Sequence, residues 1–228
     1  MPNRQPKFNV AIDGPAGAGK STVARIVAEK LGFLYIDSGA MYRAVALKCM
    51  EAGIGPEETD RIVRLTERLH IKLVPGPDRQ QVIVDGKDVT DEIRKNGVSQ
   101  NVSKYASIPQ VRELLVAKQR EMAASKGVVM DGRDIASHVL PDAEVKIFLT
   151  ASVEKRAERR YRELVGTDPS VSLEQIINEI RERDRIDMER KTSPLVISPD
   201  AVVLDTSGLS VQEVVDKVLE LCRQKTDG

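Results

Sequence analysis

The feature that most constrains the fold is a glycine-rich segment close to the start of the chain. Residues Gly14–Ser21 read GPAGAGKS and fit the pattern G-x-x-x-x-G-K-[ST]. A short apolar run, Phe8–Ile12, precedes this segment, and Thr22–Leu31 follows it with apolar side chains every three to four residues. The chain is therefore predicted to form a buried strand, a loop and an amphipathic helix in succession. This succession is the context that a phosphate-binding loop requires.

Each part of such a loop has a physical role in holding phosphate. Glycines let the backbone curl so that its N–H groups point at one anion, and the following helix adds the partial positive charge of its N-terminus. We expect Lys20 to lie along the β- and γ-phosphates of a nucleotide and the Ser21 hydroxyl to ligate Mg²⁺. The residues predicted to bind ATP in this segment are Gly14, Pro15, Ala16, Gly17, Ala18, Gly19, Lys20, Ser21 and Thr22.

The composition of the chain suits one soluble α/β domain. The 228 residues include 35 Lys and Arg against 35 Asp and Glu, so no net field draws the chain to nucleic acid or to a membrane. Cys49 and Cys222 lie outside any C-x-x-C pattern and are expected to be half-buried free thiols. Neither a signal peptide nor a membrane-spanning run is recognisable. We therefore expect a cytoplasmic protein with no nucleic-acid or membrane partner. We take it to be a monomer, although the sequence leaves the oligomeric state open.

Five apolar runs of strand length alternate with helical patterns along the chain. They are Phe8–Ile12, Phe33–Asp37, Gly127–Gly132, Val145–Leu149 and Ala201–Asp205. The alternation predicts an α/β fold, a five-stranded parallel sheet of buried strands with helices on both faces. Such sheets bind ligands at the carboxyl ends of their strands. Asp37, Ser38 and Arg43, which end or follow the second run, should therefore lie on the same rim as the glycine-rich segment.

Residues 70–95 differ in pattern from the rest of the chain. Three short β-type runs, the last two joined by Asp85-Gly86, predict a small antiparallel meander. We interpret it as a β insert that projects from the α/β core, within a single domain spanning residues 1–228. The insert could support a lid or a substrate-binding subdomain, or it could be a structural embellishment, and both interpretations stay open at this point.

Two candidate site features follow the third apolar run. An apolar run that ends in Asp is typical of a carboxylate that holds Mg²⁺, so Asp131 is predicted to face Ser21 and to contact the metal directly or through water. Arg133 and Asp134 come next and could bind one ligand twice, the arginine at a phosphate and the aspartate at an amino or hydroxyl group. The alternative is a local salt bridge within the turn.

Charged residues alternate in sign along the segment 181–190. On a helix Arg183, Asp187 and Arg190 share one face, since they are spaced by four and three residues. A solvated helix with intrahelical ion pairs is one interpretation. The other is a phosphate clamp, because a phosphoryl-transfer enzyme needs guanidinium groups around the charge that spreads over the transferring phosphoryl oxygens.

Four segments together resemble the bacterial-type cytidylate kinases, a family of nucleoside monophosphate kinases. These segments are Gly14–Ser21, Asp37–Arg43, Asp131–Asp134 and the pattern Arg183-Asp184-x-x-Asp187-x-x-Arg190 followed by Pro194-Leu195. The resemblance covers essentially the whole chain, β insert included. It implies a P-loop kinase that transfers the γ-phosphoryl group of ATP to CMP or dCMP, with Mg²⁺ as cofactor.

The resemblance also implies roles for individual residues. Those expected to bind the nucleoside monophosphate are Ser38, Arg43, Ser103, Arg112, Arg133, Asp134, Asp187 and Arg190. Among them Ser103 is expected near the base and Asp187 near the pentose. Arg159 matches a lid position and is added to the ATP-binding residues. The residues expected to act in catalysis are Lys20, Asp131, Arg133, Arg183 and Arg190. We expect Arg190 to be partly exposed, so that its replacement costs little stability.

The chemistry of the expected reaction predicts a moving lid. A monophosphate oxygen is already an anionic nucleophile, so catalysis depends on alignment, charge neutralisation and exclusion of water rather than on a strong base. Water exclusion leads us to expect a mobile helical lid at about residues 156–190, interrupted at Asp168-Pro169.

Three other functions compete with this one. A shikimate- or UMP-directed kinase could use the same core, although Arg133-Asp134 and the β insert disfavour it. A nucleotide-dependent switch would need a guanine-reading motif of the type Asn-Lys-x-Asp or a partner surface, and the sequence has no such motif. A nucleic-acid-binding role has little support in a chain of zero net charge with three Phe and four Tyr.

Overall fold

The computed structural model of the protein describes residues 7–76, 79–166 and 171–226. The strands in these residues are β1 (Asn9–Asp13), β2 (Leu34–Asp37), β3 (Ile71–Val74), β4 (Gln81–Val84), β5 (Lys87–Asp88), β6 (Val128–Gly132), β7 (Val145–Thr150) and β8 (Val202–Asp205). Five of them form a parallel sheet in the order β2-β6-β1-β7-β8. The predicted five-stranded parallel sheet is confirmed.

Helices cover both faces of this sheet. They are α1 (Lys20–Leu31), α2 (Ser38–Glu51), α3 (Thr59–Arg68), α4 (Asn96–Ala106), α5 (Pro109–Ala123), α6 (Val153–Leu164), α7 (Leu173–Glu189) and α8 (Val211–Thr226). Alternate residues of β1 show the two layers: Val10 and Ile12 pack with α1 and α8, whereas Ala11 packs with α5 and the turn after β6. The alternation follows from the two-residue period of a strand. None of the helices among the described residues is long and apolar enough to cross a membrane.

The edge strands of the sheet are more exposed than the sequence suggested. The expectation that all five strands are buried is wrong for β8, in which Val202 and Val203 are 41% and 48% exposed. Leu34 on the opposite edge is similarly exposed. The reason is position: β8 lies at the end of the order and pairs with β7 alone in the described sheet. An apolar run identifies a strand without showing which neighbours cover it.

The predicted β insert is present as a second, three-stranded antiparallel sheet, β3-β4-β5. Asp85 and Gly86 both have positive φ, 50° and 81°, as a two-residue hairpin turn of the primed type requires. Buried residues of the insert, such as Val82 and Val84, share one apolar core with helices α2 to α5. The insert therefore rests on the helical layer at the β2 side of the molecule.

Helices α6 and α7 pack together around a small apolar cluster of their own, centred on Ala157, Ile176 and Ile180. A capping box starts α7, because the Ser172 hydroxyl accepts from the Gln175 N–H and the Gln175 side chain accepts from the Ser172 N–H. The predicted break at Asp168-Pro169 lies outside the described residues.

Both cysteines are free thiols, but they are fully buried rather than half-buried. Cys222 lies on the apolar side of α8 with Val214, Val215 and Val218.

Candidate active site

A cavity of about 160 Å³ opens where β1, β2 and β6 end and where α4 and α7 pass over them. The charged side chains that line it are six cations, Lys20, Arg43, Arg112, Arg133, Arg183 and Arg190, and four carboxylates, Asp37, Asp131, Asp134 and Asp187. A chain of zero net charge thus concentrates an excess of positive charge in one concave place. Such a cavity is suited to an anionic ligand.

The phosphate loop enters this cavity with its backbone tightly constrained. Gly14 has φ 146°, and a Cβ at this position would lie 2.0 Å from the Leu149 carbonyl oxygen of β7. No side chain can be accommodated there, so the first glycine allows β1 and β7 to approach. Lys20 is buried and donates from Nζ to the Pro15 carbonyl oxygen at 2.8 Å. Burial first, and then Arg133, lower the pKa of Lys20 well below its usual range.

Ser21 and Asp131 meet at the floor of the cavity, as predicted. The Ser21 hydroxyl donates to Asp131 Oδ2 at 2.9 Å, and the Tyr35 hydroxyl donates to Oδ1 of the same carboxylate at 2.8 Å. Burial, followed by the nearby Asp37, raises the pKa of Asp131 to about 6. A divalent cation would offset the free-energy cost of burying the ionised Asp131 carboxylate, because it would compensate the negative charge.

The donor atoms at this floor fit Mg²⁺. A hydroxyl oxygen and a carboxylate oxygen 2.9 Å apart can contact the same hard cation. Within the ranges that the structure describes, no three His, Cys, Asp or Glu side chains gather as a metal site of their own. The remaining ligands of a magnesium ion at Ser21 and Asp131 would come from bound phosphate oxygens and water.

Asp37 organises the side chains that follow β2. Its carboxylate accepts from the Ala40 N–H at 2.8 Å, which caps α2, and from Arg43 Nη2 at 2.8 Å. Burial alone would raise the pKa of Asp37, but Arg43 and Arg94 lower it below its usual range. Arg43 is thus held at the cavity wall by a charged carboxylate.

Asp187 of α7 gathers a second group of side chains. It accepts from Arg133 Nε at 2.9 Å and from the Ser103 hydroxyl at 3.1 Å, and Arg190 Nη1 lies 3.9 Å away. Burial would raise the pKa of Asp187, but Arg133, Arg183 and Arg190 together lower it. The carboxylate therefore stays ionised and links α4, α7 and the segment after β6 around the cavity.

Asp134 pairs with Arg112 rather than with its neighbour in sequence. Arg112 Nη2 donates to Asp134 Oδ2 at 2.5 Å, and both side chains are buried. The Arg112 guanidinium also lies over the ring of Tyr42, 5.2 Å from its centroid. The local salt bridge considered for Arg133 and Asp134 is therefore wrong, because each residue has a partner on a distant helix.

The two interpretations of segment 181–190 apply to different faces of α7. Arg185 is exposed and bonds to Glu182 and Glu189, as expected of a solvated helix. Arg183 faces the cavity, and burial together with Arg133 lowers its pKa to about 10. Arg190 follows the helix as its C-terminal cap.

Arg190 is more buried than the sequence suggested. Its side chain is only 4% exposed, and its Nε donates to the Ser193 carbonyl oxygen at 2.7 Å. The expectation of a partly exposed charge is therefore wrong, and replacing Arg190 would leave the buried Asp134 and Asp187 with one fewer cationic neighbour.

Several buried N–H groups in this cavity lack a hydrogen-bond partner. Among the described residues, Arg43 Nε, Arg183 Nε and Arg190 Nη2 are of this kind. Buried donors without partners are costly, so their presence along an open cavity indicates that a ligand completes them. Their number and charge favour a ligand with several anionic oxygens.

A family model described as cytidylate kinase matches residues 10–224 of the chain. The chain belongs to the cytidylate kinase family. As a member of this family it is an ATP-dependent nucleoside monophosphate kinase, as the sequence predicted.

Curated cytidylate kinases align with this family member over nearly the whole length of both chains. The protein from Caldanaerobacter subterraneus subsp. tengcongensis is 52% identical, with 96% of each chain covered. The protein from Bacillus subtilis is 50% identical, with 96% of this chain and 98% of the relative covered. The protein from Desulforamulus reducens is 54% identical, with 92% and 94% covered.

Solved structures confirm the P-loop kinase fold of this cytidylate kinase family member. A shikimate kinase from Bacteroides thetaiotaomicron matches with a TM-score of 0.51 at 13% identity, covering 96% of this chain and 99% of that one. A gluconokinase from Sinorhizobium meliloti 1021 matches with a TM-score of 0.50 at 18% identity, covering 98% and 97%. At these identities the likeness concerns the fold alone.

The cytidylate kinase resemblance and the geometry agree on which side chains come together. All eight residues predicted for the monophosphate line the cavity, and so do Ala16, Gly17, Lys20, Ser21 and Asp131. The other predicted ATP-binding residues, Gly14, Pro15, Ala18, Gly19, Thr22 and Arg159, lie outside the lining. Arg159 nevertheless contacts the back of the loop, since its Nη1 is 3.4 Å from the Gly17 carbonyl oxygen.

Sequence reasoning missed buried residues that support the cytidylate kinase site from behind. Arg156 donates to the Ala16 carbonyl oxygen at 3.1 Å and pairs with Asp184 at 2.7 Å, so it joins the phosphate loop to α7. Gln80 of the β insert accepts from the Asp37 N–H at 3.1 Å and donates to the Tyr35 carbonyl oxygen at 2.5 Å. The burial of an Arg and a Gln leaves no pattern in the sequence, so only the structure reveals these contacts.

Proposed function

We propose that this protein transfers the γ-phosphoryl group of ATP to CMP or dCMP, forming ADP and CDP or dCDP. One observation carries the proposal: a single cavity brings residues of the phosphate loop together with Arg43, Arg133, Arg183 and Arg190. A donor phosphate chain and an acceptor phosphate can therefore share one site, which direct in-line transfer requires.

The ATP side of the site is built from the phosphate loop. Lys20, which donates to the Pro15 carbonyl oxygen in this structure, would donate to the phosphates instead. This change of hydrogen-bond acceptor is favourable. Burial and neighbouring arginines disfavour the charged form of Lys20, whereas phosphate oxygens would favour it. Arg159 would support the phosphate loop through its contact with the Gly17 carbonyl oxygen.

The monophosphate side is built from Asp37 and Asp187 together with the side chains that bind to these two carboxylates. We assign the acceptor phosphate to Arg43 and its neighbours, and the pentose and base to the far end of the cavity, where Ser103, Asp187 and Arg112 lie. A pyrimidine base offers both donors and acceptors, and the Arg112–Asp134 pair presents both in return.

Catalysis in this arrangement depends on charge. Arg133, Arg183 and Arg190 surround the cavity and would stabilise the negative charge of the transferring phosphoryl oxygens. Ser21 and Asp131 would hold Mg²⁺, directly or through water. When bound, the cation neutralises phosphate charge and orients the phosphates.

The lid is proposed from helices α6 and α7, within about residues 156–190. Both ends of this region are anchored, the first by Arg156 on the phosphate loop and the last by Asp187 in the cavity. The described residues between these anchors, 157–166 and 171–186, include a small apolar cluster that α6 and α7 share, so the two helices can move together over the phosphates. Closure would exclude the water that otherwise hydrolyses ATP.

We further propose that the enzyme works in the cytoplasm as a monomer, without nucleic-acid partners. The complete site within one chain and the balanced net charge support this assignment.

The first experiment is a coupled assay of ADP release with ATP, Mg²⁺ and one acceptor at a time. The acceptors are CMP, dCMP, UMP, AMP, GMP and shikimate. We expect fast turnover with CMP and dCMP and slow turnover with the others. Absence of turnover with every acceptor, in a protein that still binds ATP, would overturn the cytidylate assignment.

A further inference from the structure

Asp13 is a buried carboxylate next to the active site to which the proposed reaction gives no role. It is the last residue of β1, directly before the phosphate loop, and it is 2% exposed. It is paired in register with Gly132 of β6 and Phe148 of β7. It does not line the cavity, so it cannot touch a substrate there.

The Asp13 carboxylate accepts two hydrogen bonds from the backbone that follows Asp134. Oδ1 accepts from the Ile135 N–H and Oδ2 from the Ala136 N–H, each at 2.8 Å. These two residues begin the π-helical turn Ile135–Val139 that follows Arg133 and Asp134. The first N–H groups of a helical turn have no partner within the turn, so Asp13 satisfies two that would otherwise be unpaired.

These two bonds determine where the preceding residues can lie. Arg133 and Asp134 form the short connection between β6, whose last residue pairs with Asp13, and the turn that Asp13 holds. Their side chains extend to Asp187 and Arg112 on two different helices. A shift of the turn would therefore move both side chains relative to the phosphate loop.

The cost of burying this carboxylate argues for a specific role. Burial raises the pKa of Asp13 to about 7, although both backbone N–H groups and Lys20 favour the ionised form. Asp134 opposes ionisation as well. An apolar residue would fill the same position at lower cost. What an apolar residue would not provide is two acceptors in fixed positions.

We propose that Asp13 is a positioning residue that sets Arg133 and Asp134 in register with the phosphate loop. It acts through the backbone of Ile135 and Ala136 and makes no contact with substrate. The proposal rests on the proposed function, since Arg133 and Asp134 are there assigned to the nucleoside monophosphate and the transferring phosphoryl group.

The test compares Asp13→Ala, Asp13→Asn and Val10→Ala. The first removes both acceptors, and the second keeps one acceptor while turning an amide donor toward the other N–H. Val10→Ala is the matched control, because Val10 is a fully buried apolar residue on the same strand whose truncation lowers stability without touching the site. KM for CMP, KM for ATP, kcat and the melting temperature are measured for each.

We expect both Asp13 variants to raise KM for CMP and to lower kcat by about tenfold. Their KM for ATP should stay within twofold of the value for the unmodified protein. The phosphate loop should keep its shape, since the Gly14 contact with β7 and the pairing of β1 hold it independently. Val10→Ala should change neither KM although it melts earlier. Asp13 variants that melt earlier but keep KM for CMP, or that raise both KM values equally, would overturn the proposal.

A measurement on the unmodified protein covers the case in which the variants do not fold. The Ile135 and Ala136 amide hydrogens should exchange as slowly as those of β6, because each donates to a buried carboxylate. Fast exchange of both would overturn the proposal. The proposed function fails separately, by absence of CMP turnover in the unmodified protein.

Discussion

Two arginines on α7, two positions apart, have opposite surroundings. Arg183 faces the cavity, and its Nε has no hydrogen-bond partner among the described residues. Arg185 is exposed and bonds to Glu182 and Glu189. The same residue type on one helix thus offers a matched pair for separating the roles of charge in catalysis and on the surface.

We expect Arg183→Met to lower kcat about 100-fold or more, because it removes a cation from around the transferring phosphoryl group. Its melting temperature without substrate should change little, since burial and Arg133 disfavour the Arg183 charge whereas Asp187 favours it. Arg185→Met should leave kcat unchanged. Steady-state assays and thermal unfolding of both variants test this, and equal losses of activity would contradict it.

The Asp131 carboxyl should make stability depend on pH in the absence of nucleotide and Mg²⁺. Burial and Asp37 raise its pKa from 3.8 to about 6, whereas Lys20 and the hydroxyls of Tyr35 and Ser21 partly compensate. The folded state therefore holds a proton that the unfolded chain has lost, and the contribution of this group to stability falls as pH rises from about 4 to about 6. A shift of two pKa units corresponds to about 3 kcal/mol as an upper value.

Asp131→Asn does not titrate, so it should escape this loss. We expect its melting temperature, relative to the unmodified protein, to be higher at pH 8 than at pH 4.5. Activity should nevertheless be strongly reduced, since the amide is a poorer ligand for Mg²⁺ than a carboxylate. Scanning calorimetry at both pH values is the measurement, and a melting-temperature difference independent of pH would be inconsistent with a raised pKa.

Among the larger elements, the β insert contacts the candidate site through the side chains of Gln80 and Arg94. Gln80 holds the Asp37 N–H and the Tyr35 carbonyl oxygen, and the Asp37 carboxylate in turn holds Arg43. Arg94, in the 3₁₀ turn Glu92–Arg94 near the end of the insert, lies 3.7 Å from the same carboxylate. These contacts favour a role of the insert in substrate binding over a structural embellishment.

We expect Gln80→Ala to raise KM for the monophosphate severalfold while leaving KM for ATP unchanged, because it frees the backbone that carries Asp37. Lys87→Ala, on the exposed strand β5 of the same insert, is the control and should change neither value. The measurement is a pair of substrate titrations for each variant. If Gln80→Ala leaves both KM values unchanged, as expected of Lys87→Ala, the role of the insert is merely structural.

Closure of the proposed lid would concern the molecule as a whole, since we expect it to require both substrates and both anchors of the α6–α7 region. We expect hydrogen exchange in α6 and in the first half of α7 to slow when a bisubstrate ligand binds, whereas exchange in β1 and β6 stays constant. These two strands are the internal control, because all their residues are already buried. Equal exchange in α6 and α7 with and without the ligand would argue against a moving lid.

Much of this molecule follows from local patterns, and the remainder depends on distant contacts. The phosphate loop, the helix that follows it and the insert were predictable because turn residues and periodicity act over a few positions. The membership of Ser103 and Arg112 in the site came from family resemblance. Asp13 could not be found in either way, since its partners are backbone N–H groups more than 120 residues away that any residue type would supply.

The Gln80 amide also affects how the sheet can meet other strands. In β2, Tyr35 and Asp37 direct their backbone N–H and C=O groups away from β6. The Gln80 amide pairs with the Tyr35 C=O and with the Asp37 N–H, as a neighbouring strand would. Gln80 therefore obstructs strand addition at that edge, whereas β8 presents an edge with the exposed Val202 and Val203. If a destabilised copy of this protein recruits a foreign strand, the sheet will grow in one direction only, outward from β8.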